Sequence, residues 1–264
     1  MKDIDKYLNR LNLREKPEGT LRFLSLLHHA HFFNVPFENC SITDTAHVSL
    51  NPAEIFTKIV LNKCGGICFE FSVLLQELFD YVGFSYEARL ARVLIPHVTP
   101  ATHQLFIVSI GTERWLFDVG FGAKGPRSLL LMTDGYVHCD PFLSTRITED
   151  AVHGWIVSVK ENSKPEALWE DIYSFHDVMV FPTDISMAFF YTLNSNESLL
   201  KRNNVASLPR ENGRISIRNN TFTEVNGFES ISVELPDDEE KSRILNTRFG
   251  ISASSGIINT VRKK

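Results

Sequence analysis

From Asp3 to about Val82 the apolar residues recur at helical spacing, and after Phe84 that spacing is lost. The first stretch carries Leu8 and Leu11, then Leu21, Leu24 and Leu27, then Ile55 and Ile59, then Leu74, Leu75 and Leu78, which predicts a helical bundle. Asn51-Pro52-Ala53-Glu54 adds a helix start, with a cap, a proline at the first position and an acid in the first turn. Beyond Phe84 come short β-branched and aromatic runs at 87–95, 104–110, 114–117 and 154–159, broken by Gly, Pro and Asp. These favour a small, mostly antiparallel β-barrel or sheet. The last third mixes a helical stretch near 183–192 with strands at 214–218 and 231–235. There the acidic run Asp237-Asp238-Glu239-Glu240 is placed to cap a final helix or face solvent. No internal repeat and no long Gly/Ser linker interrupts the chain. The expectation is an α+β fold of three parts packed together, 1–83, 84–190 and 191–264.

Composition narrows the class of function. Of the 264 residues 43% are apolar and 22% charged, as in a compact globular protein and unlike a disordered one. A net charge of −5 gives no general attraction to nucleic acid or an anionic membrane, and Arg262-Lys263-Lys264 is too short a run to change that. No apolar run approaches the roughly 18 residues of a membrane helix, and the mixed-charge Lys2-Asp3-Ile4-Asp5-Lys6 is unlike a secretory signal. A cytoplasmic protein with no nucleic-acid or membrane partner is expected. Four cysteines, Cys40, Cys64, Cys68 and Cys139, are too few for a disulfide scaffold. Cys64-x-x-x-Cys68 has no second Cys/His pair with ligand spacing, so no metal is expected. A regulatory Cys64–Cys68 disulfide stands against the ordinary reading of two unbonded thiols.

The segment richest in chemistry is Lys63-Cys64-Gly65-Gly66-Ile67-Cys68-Phe69-Glu70. It sets Cys68 just ahead of the helical run Phe71-Ser72-Val73-Leu74-Leu75, at the positive end of a helix dipole, which favours a thiolate. The two glycines are expected to let the backbone turn sharply and to let a substrate approach without a side chain in the way. Downstream, His103 opens the β-like run His103-Gln104-Leu105-Phe106-Ile107-Val108, and Asp118 lies in Trp115-Leu116-Phe117-Asp118-Val119-Gly120-Phe121-Gly122. Each taken alone has a plain structural reading: a small buried thiol, a hydrogen-bonded core histidine, a turn aspartate. Together, in that chain order, they are the parts of an activated-nucleophile triad.

Several segments resemble one family, the arylamine N-acetyltransferases. Leu26-Leu27-His28-His29-Ala30-His31 followed by Val35-Pro36-Phe37-Glu38-Asn39 looks like its LHxAH…PFEN signature. Cys64-Gly65-Gly66-Ile67-Cys68-Phe69-Glu70 is similar to its RGGxCxE motif, Thr102-His103 to the strand of its histidine, and Asp118-Val119-Gly120-Phe121-Gly122 to its DVGFG. Asn203-Asn204-Val205-Ala206 and Phe249-Gly250-Ile251 match softer segments. Two positions depart from the pattern: Ser72 stands where Asn is common, and Cys64 replaces the Arg that in the family pairs with the Glu of PFEN. Glu38 therefore needs another partner, for which Lys63 is adjacent, or must face water. Restoring arginine at 64 is expected to raise stability.

The resemblance implies a helical bundle, a β-barrel and an α/β lid, with Cys68, His103 and Asp118 arranged as in cysteine proteases. It also implies acetyl-CoA as acyl donor and an aromatic amine or hydrazine as acceptor, in ping-pong exchange through an acetyl-cysteine. On the same ground the loop holding Gly122, Lys124 and Gly125 would offer backbone N–H groups and a charge to coenzyme A phosphates, against the plain reading of a turn. Phe37 and Phe121 would wall an aromatic acceptor pocket, against simple core packing in a chain with 20 Phe. His28, His29 and His31 are expected to cap or line helices. Rival functions remain: a cysteine peptidase or transglutaminase, an amide synthase using a carrier-bound acyl chain, and an impaired relative that binds coenzyme A or an aromatic ligand without turnover.

Overall fold

The computed structural model describes residues 3–40, 49–164 and 166–251; the basic run at 262–264 and the chain start at 1–2 lie outside them. Helices come first: α1 (Ile4–Arg10), α2 (Leu21–Asn34), α3 (Pro52–Ile55) and α4 (Cys68–Val82). Thr20 Oγ1 caps α2 by accepting the Phe23 N–H, and Asn51 Oδ1 caps α3 by accepting that of Ala53. The helix begun at Asn51 does not continue as an α-helix. It widens into a π-turn over Phe56–Leu61, in which the Asn62 N–H reaches back to the Thr57 carbonyl. Gly83, at φ 84°, ends α4. The helical stripe read from the sequence is in the core: Leu11, Leu24, Leu27, Ile59 and Leu78 are fully buried in one cluster, joined by Tyr7.

Eight antiparallel strands follow: β2 (Ser85–Val93), β3 (Ala101–Ile110), β4 (Glu113–Phe117), β5 (Leu130–Leu131), β6 (Tyr136–His138), β7 (Leu143–Asp150), β8 (Gly154–Glu161) and β9 (Glu170–Phe175). Their order is β5-β4-β3-β2-β9-β8-β7-β6, and the end strands β5 and β6 meet, so the sheet is nearly a closed barrel. Strand β3 is apolar on both faces for a reason. Leu105 and Ile107 point into the barrel core, while Phe106 and Val108 point into the helical cluster, as the two-residue period requires. It is the wall shared by helices and barrel.

The remaining elements are β1 (Phe37–Glu38), α5 (Pro182–Asn194), α6 (Leu199–Arg202), β10 (Val205–Arg210), β11 (Gly213–Arg218), β12 (Thr221–Asn226), β13 (Glu229–Glu234) and α7 (Asp238–Phe249). The second sheet runs β1-β10-β11-β12-β13, so a strand from the helical third is stitched to the last third through Phe37↔Ser207 and Glu38↔Ala206. Asp237 caps α7, accepting the Glu240 N–H at 2.8 Å. The sequence division at residue 190 runs through α5. Buried Arg127 donates to the carbonyls of Arg210, Glu211 and Gly213, clamping the β10–β11 hairpin to the barrel.

Candidate active site

Cys68 is the first residue of α4, and the helix start is held without a side-chain cap at Ile67. Glu70 supplies the bond instead: its Oε2 accepts the Ile67 N–H at 3.0 Å. Gly65 and Gly66 do not face a substrate. A Cβ at Gly65 would lie 2.1 Å from the Pro36 carbonyl oxygen, and one at Gly66 would crowd Glu70, Ile59 and Phe71. The glycines are needed because the loop packs inward on β1 and its own helix.

His103 comes from β3 and Asp118 from just past β4, neighbouring strands of one sheet, and both are buried. His103 Nε2 lies 2.8 Å from Asp118 Oδ2, which leaves Nδ1 for Cys68, its other hydrogen-bond partner. Burial opposes a charge on His103, but Asp118 and then Cys68 outweigh it and hold the ring up to about 10. Asp118 is held below its ordinary value: burial pulls the other way and is overcome by His103 and by the Gly120 N–H, 2.9 Å from Oδ1. An imidazolium beside the thiol is therefore the favoured neutral-pH state. The Asp118 loop also touches the nucleophile directly. A Cβ at Gly120 would sit 2.7 Å from that of Cys68.

Two side chains with no local signal complete the surroundings. Tyr173 of β9 sets its ring, tilted, 5.2 Å from His103 and 5.2 Å from Phe121, and burial with the nearby Asp118 raises its phenol well above the ordinary value. His28, expected only to line a helix, donates from Nε2 to the Asp118 carbonyl at 2.9 Å, and burial pushes it down to about 4, so it is neutral. His31 is fully buried against Tyr7 and Phe71.

Cys68 and His103 line a cavity of about 410 Å³. Phe37, Phe121, Val93, Ile95 and Tyr191 give it apolar walls, and Lys124, Arg214 and Arg218 give it cations. The alternation of β11 places the arginines there. Arg214, Ser216 and Arg218 line the cavity, while Ile215 and Ile217 are buried in the core beneath, with Ile217 also reaching the cavity lining. In the loop expected to face phosphate, the Gly125 N–H donates to the Gly122 carbonyl, and a Cβ at Gly122 would lie 2.8 Å from Ser207 Oγ. The neighbouring Ala123 N–H goes to Ser207 Oγ, so these donors serve the fold. Lys124 lines the cavity and pairs with Glu170 at 3.5 Å.

No disulfide joins Cys64 and Cys68: the Cys64 sulfur lies 3.8 Å from the Asn62 carbonyl, and that of Cys68, beside His103, lies 3.9 Å from the Thr102 carbonyl. Glu38 does not face water; it is fully buried. Lys58 of the π-turn is a cation in its field. Among the described residues no group of His, Cys, Asp and Glu is arranged to hold a metal ion.

Comparison with known proteins decides the family. A family model described as N-acetyltransferase matches residues 20–258, most of the chain. The chain belongs to the arylamine N-acetyltransferase family. It is 25% identical over 254 residues to an arylamine N-acetyltransferase / N-hydroxyarylamine O-acetyltransferase of Salmonella typhimurium, covering 94% of this chain and 88% of the relative. The solved arylamine N-acetyltransferase of Mycobacterium tuberculosis superposes with a TM-score of 0.86 at 26% identity, covering 96% of this chain and 94% of that one. The Mycobacterium marinum arylamine N-acetyltransferase in complex with CoA shares the fold at 21% identity, with a TM-score of 0.86 and 97% of each chain covered. Like these relatives, this arylamine N-acetyltransferase family member is an acyl-transferring enzyme. None of its helices, among the described residues, is long and apolar enough to cross a membrane.

Proposed function

We propose that the protein moves an acetyl group from acetyl-CoA to the nitrogen of an arylamine or hydrazine, through an acetyl-cysteine on Cys68. The observation that carries this reading is Cys68 at the floor of a largely apolar cavity with His103 and Asp118 aligned behind it. The Cys68 thiolate attacks the thioester carbonyl, the carbon–sulfur bond to coenzyme A breaks, and the leaving thiolate takes the proton from the His103 imidazolium. One thioester has replaced another, so this half-reaction is close to isoenergetic. The amine then attacks the acetyl carbon with its lone pair, His103 takes the amine proton, and Cys68 leaves as a thiolate while the amide forms. Asp118 keeps the imidazole oriented and stabilises its charged form throughout.

The cavity supports both partners. Lys124, Arg214 and Arg218 suit the phosphates of coenzyme A, the ligand bound by the M. marinum relative. Phe37 and Phe121 present aromatic faces to an aryl acceptor. Aromatic amines are neutral near pH 7 and keep the lone pair that attacks, whereas alkyl amines are mostly protonated. Both substrates reach Cys68 through this one cavity, which favours alternation over simultaneous binding. A cytoplasmic enzyme drawing on the acetyl-CoA pool is the setting this implies.

Intact and peptide mass spectrometry after mixing with acetyl-CoA alone tests the reading. One acetyl group on the peptide holding Cys68, discharged by an aromatic hydrazine, is the expected result, with no adduct and no turnover in folded Cys68→Ala. Transfer by that variant, or an adduct elsewhere, overturns it.

A further inference from the structure

The loop that delivers Cys68 is gripped from behind by one residue outside the cavity lining. In an α-helix the Lys58 carbonyl would accept the Asn62 N–H, but the π-turn sends that N–H to Thr57 instead. The released Lys58 carbonyl accepts the Cys64 N–H at 3.1 Å. At the other end of the same loop, the Lys58 ammonium lies 2.7 Å from Glu70 Oε1, whose second oxygen holds the Ile67 N–H. One residue thus ties both Cys64 and, through Glu70, the peptide that precedes Cys68. The pair is secluded, with the Lys58 side chain 19% exposed and that of Glu70 2% exposed. Glu38, from β1, adds a second buried carboxylate near the ammonium.

We propose that Lys58 is a positioning residue for the nucleophile: its ion pair with Glu70 sets where the first turn of α4 stands and balances the charge beneath the Cys68 thiol. Removing the ammonium leaves a buried carboxylate within the first turn of α4, which opposes a thiolate there. Burial alone works against the charge on Lys58, but Glu70 and then Glu38 more than offset it. The charged and titratable groups around this arrangement are Glu70 of α4, Glu38 of β1, Cys40 just past β1 and Cys64 of the loop at Lys58, with His103 and Asp118 at the thiol itself. Arg10 of α1 closes the far side. Its guanidinium donates to the carbonyls of Asn34 and Ile59 and lies 3.5 Å from that of Cys64.

The inference rests on Cys68 as nucleophile, so the test reads the thiol directly rather than through transfer. The rate of Cys68 alkylation by iodoacetamide is followed against pH by peptide mass spectrometry, alongside single-turnover acetylation by acetyl-CoA. In Lys58→Met the alkylation profile should move to higher pH and acetylation should slow by about tenfold or more. In Glu70→Gln the profile should move to lower pH. In the double variant, with both charges gone, it should return close to that of the parent. A folded Lys58→Met with an unmoved profile and unchanged rate overturns the proposal, as does a double variant displaced as far as Lys58→Met alone. Should Lys58→Met fail to fold, an unmoved profile in Glu70→Gln overturns it equally. Failure of the acetyl-cysteine reading would show separately, as absence of the acetyl adduct in the unaltered protein.

Discussion

At the scale of single residues, position 64 shows how a site can move without its charge being lost. The family pattern leads one to expect an arginine there and to expect its return to help. In the structure Cys64 is fully buried, its carbonyl lies against Arg10, and Lys58 already supplies the cation beside Glu38 and Glu70. Cys64→Arg therefore inserts a long cationic side chain into filled space, and should cost about 1–3 kcal/mol rather than stabilise. A fall in Tm on thermal unfolding checks this; a rise would mean that the loop opens to admit the new side chain. Cys68 is legible at this scale because what activates it is local: the first turn of a helix follows from the residues on either side. His28 is not, since its role is a bond to the backbone of a residue 90 positions away.

At the scale of elements, the site is a junction between the start of α4, the beginning of β3 and the exit of β4. Gly120 is the contact point, where the Asp118 loop lies flat on Cys68. Gly120→Ala would put a methyl group 2.7 Å from Cys68 Cβ, so the loop must shift and carry the aspartate with it. The expected outcome is a loss of acetylation rate of about tenfold or more in a protein that still folds, read by single-turnover kinetics. The helices, the β3–β4 pair and the cap of α7 follow from period and capping residues, which act within a turn or between adjacent strands. The π-turn at 56–61 does not. Its residues read as an ordinary helix, and the register that frees the Lys58 carbonyl makes sense only once the Cys64 N–H is there to receive it.

At the scale of the whole molecule, the buried histidines tie stability to pH. His28 is pushed down to about 4 and His31 to about 3 by burial, against about 6.5 in the unfolded chain. The unfolded state therefore takes up these protons first, and stability they support above pH 6.5 is lost as pH falls toward 4, by up to about 1.4 kcal/mol per pH unit for each group. His103 has the opposite sign. Raised to about 10, it contributes stability that is complete below pH 6.5 and lost as pH rises through 10. Thermal melts should show Tm declining on both flanks, and His103→Ala should flatten the alkaline one; an unchanged alkaline slope in that variant would contradict the His103–Asp118 ion pair. The sequence alone determined the order of helical and β parts, the helix start at Cys68 and the three residues that carry the candidate chemistry, because these depend on near neighbours along the chain. Only the tertiary structure decided that Gly65 faces Pro36, that Lys58 stands behind the nucleophile, that Tyr173 walls His103 and that β11 turns its arginines to the cavity. Those contacts depend on which elements cross and at what register, and spacing along the chain carries no record of that.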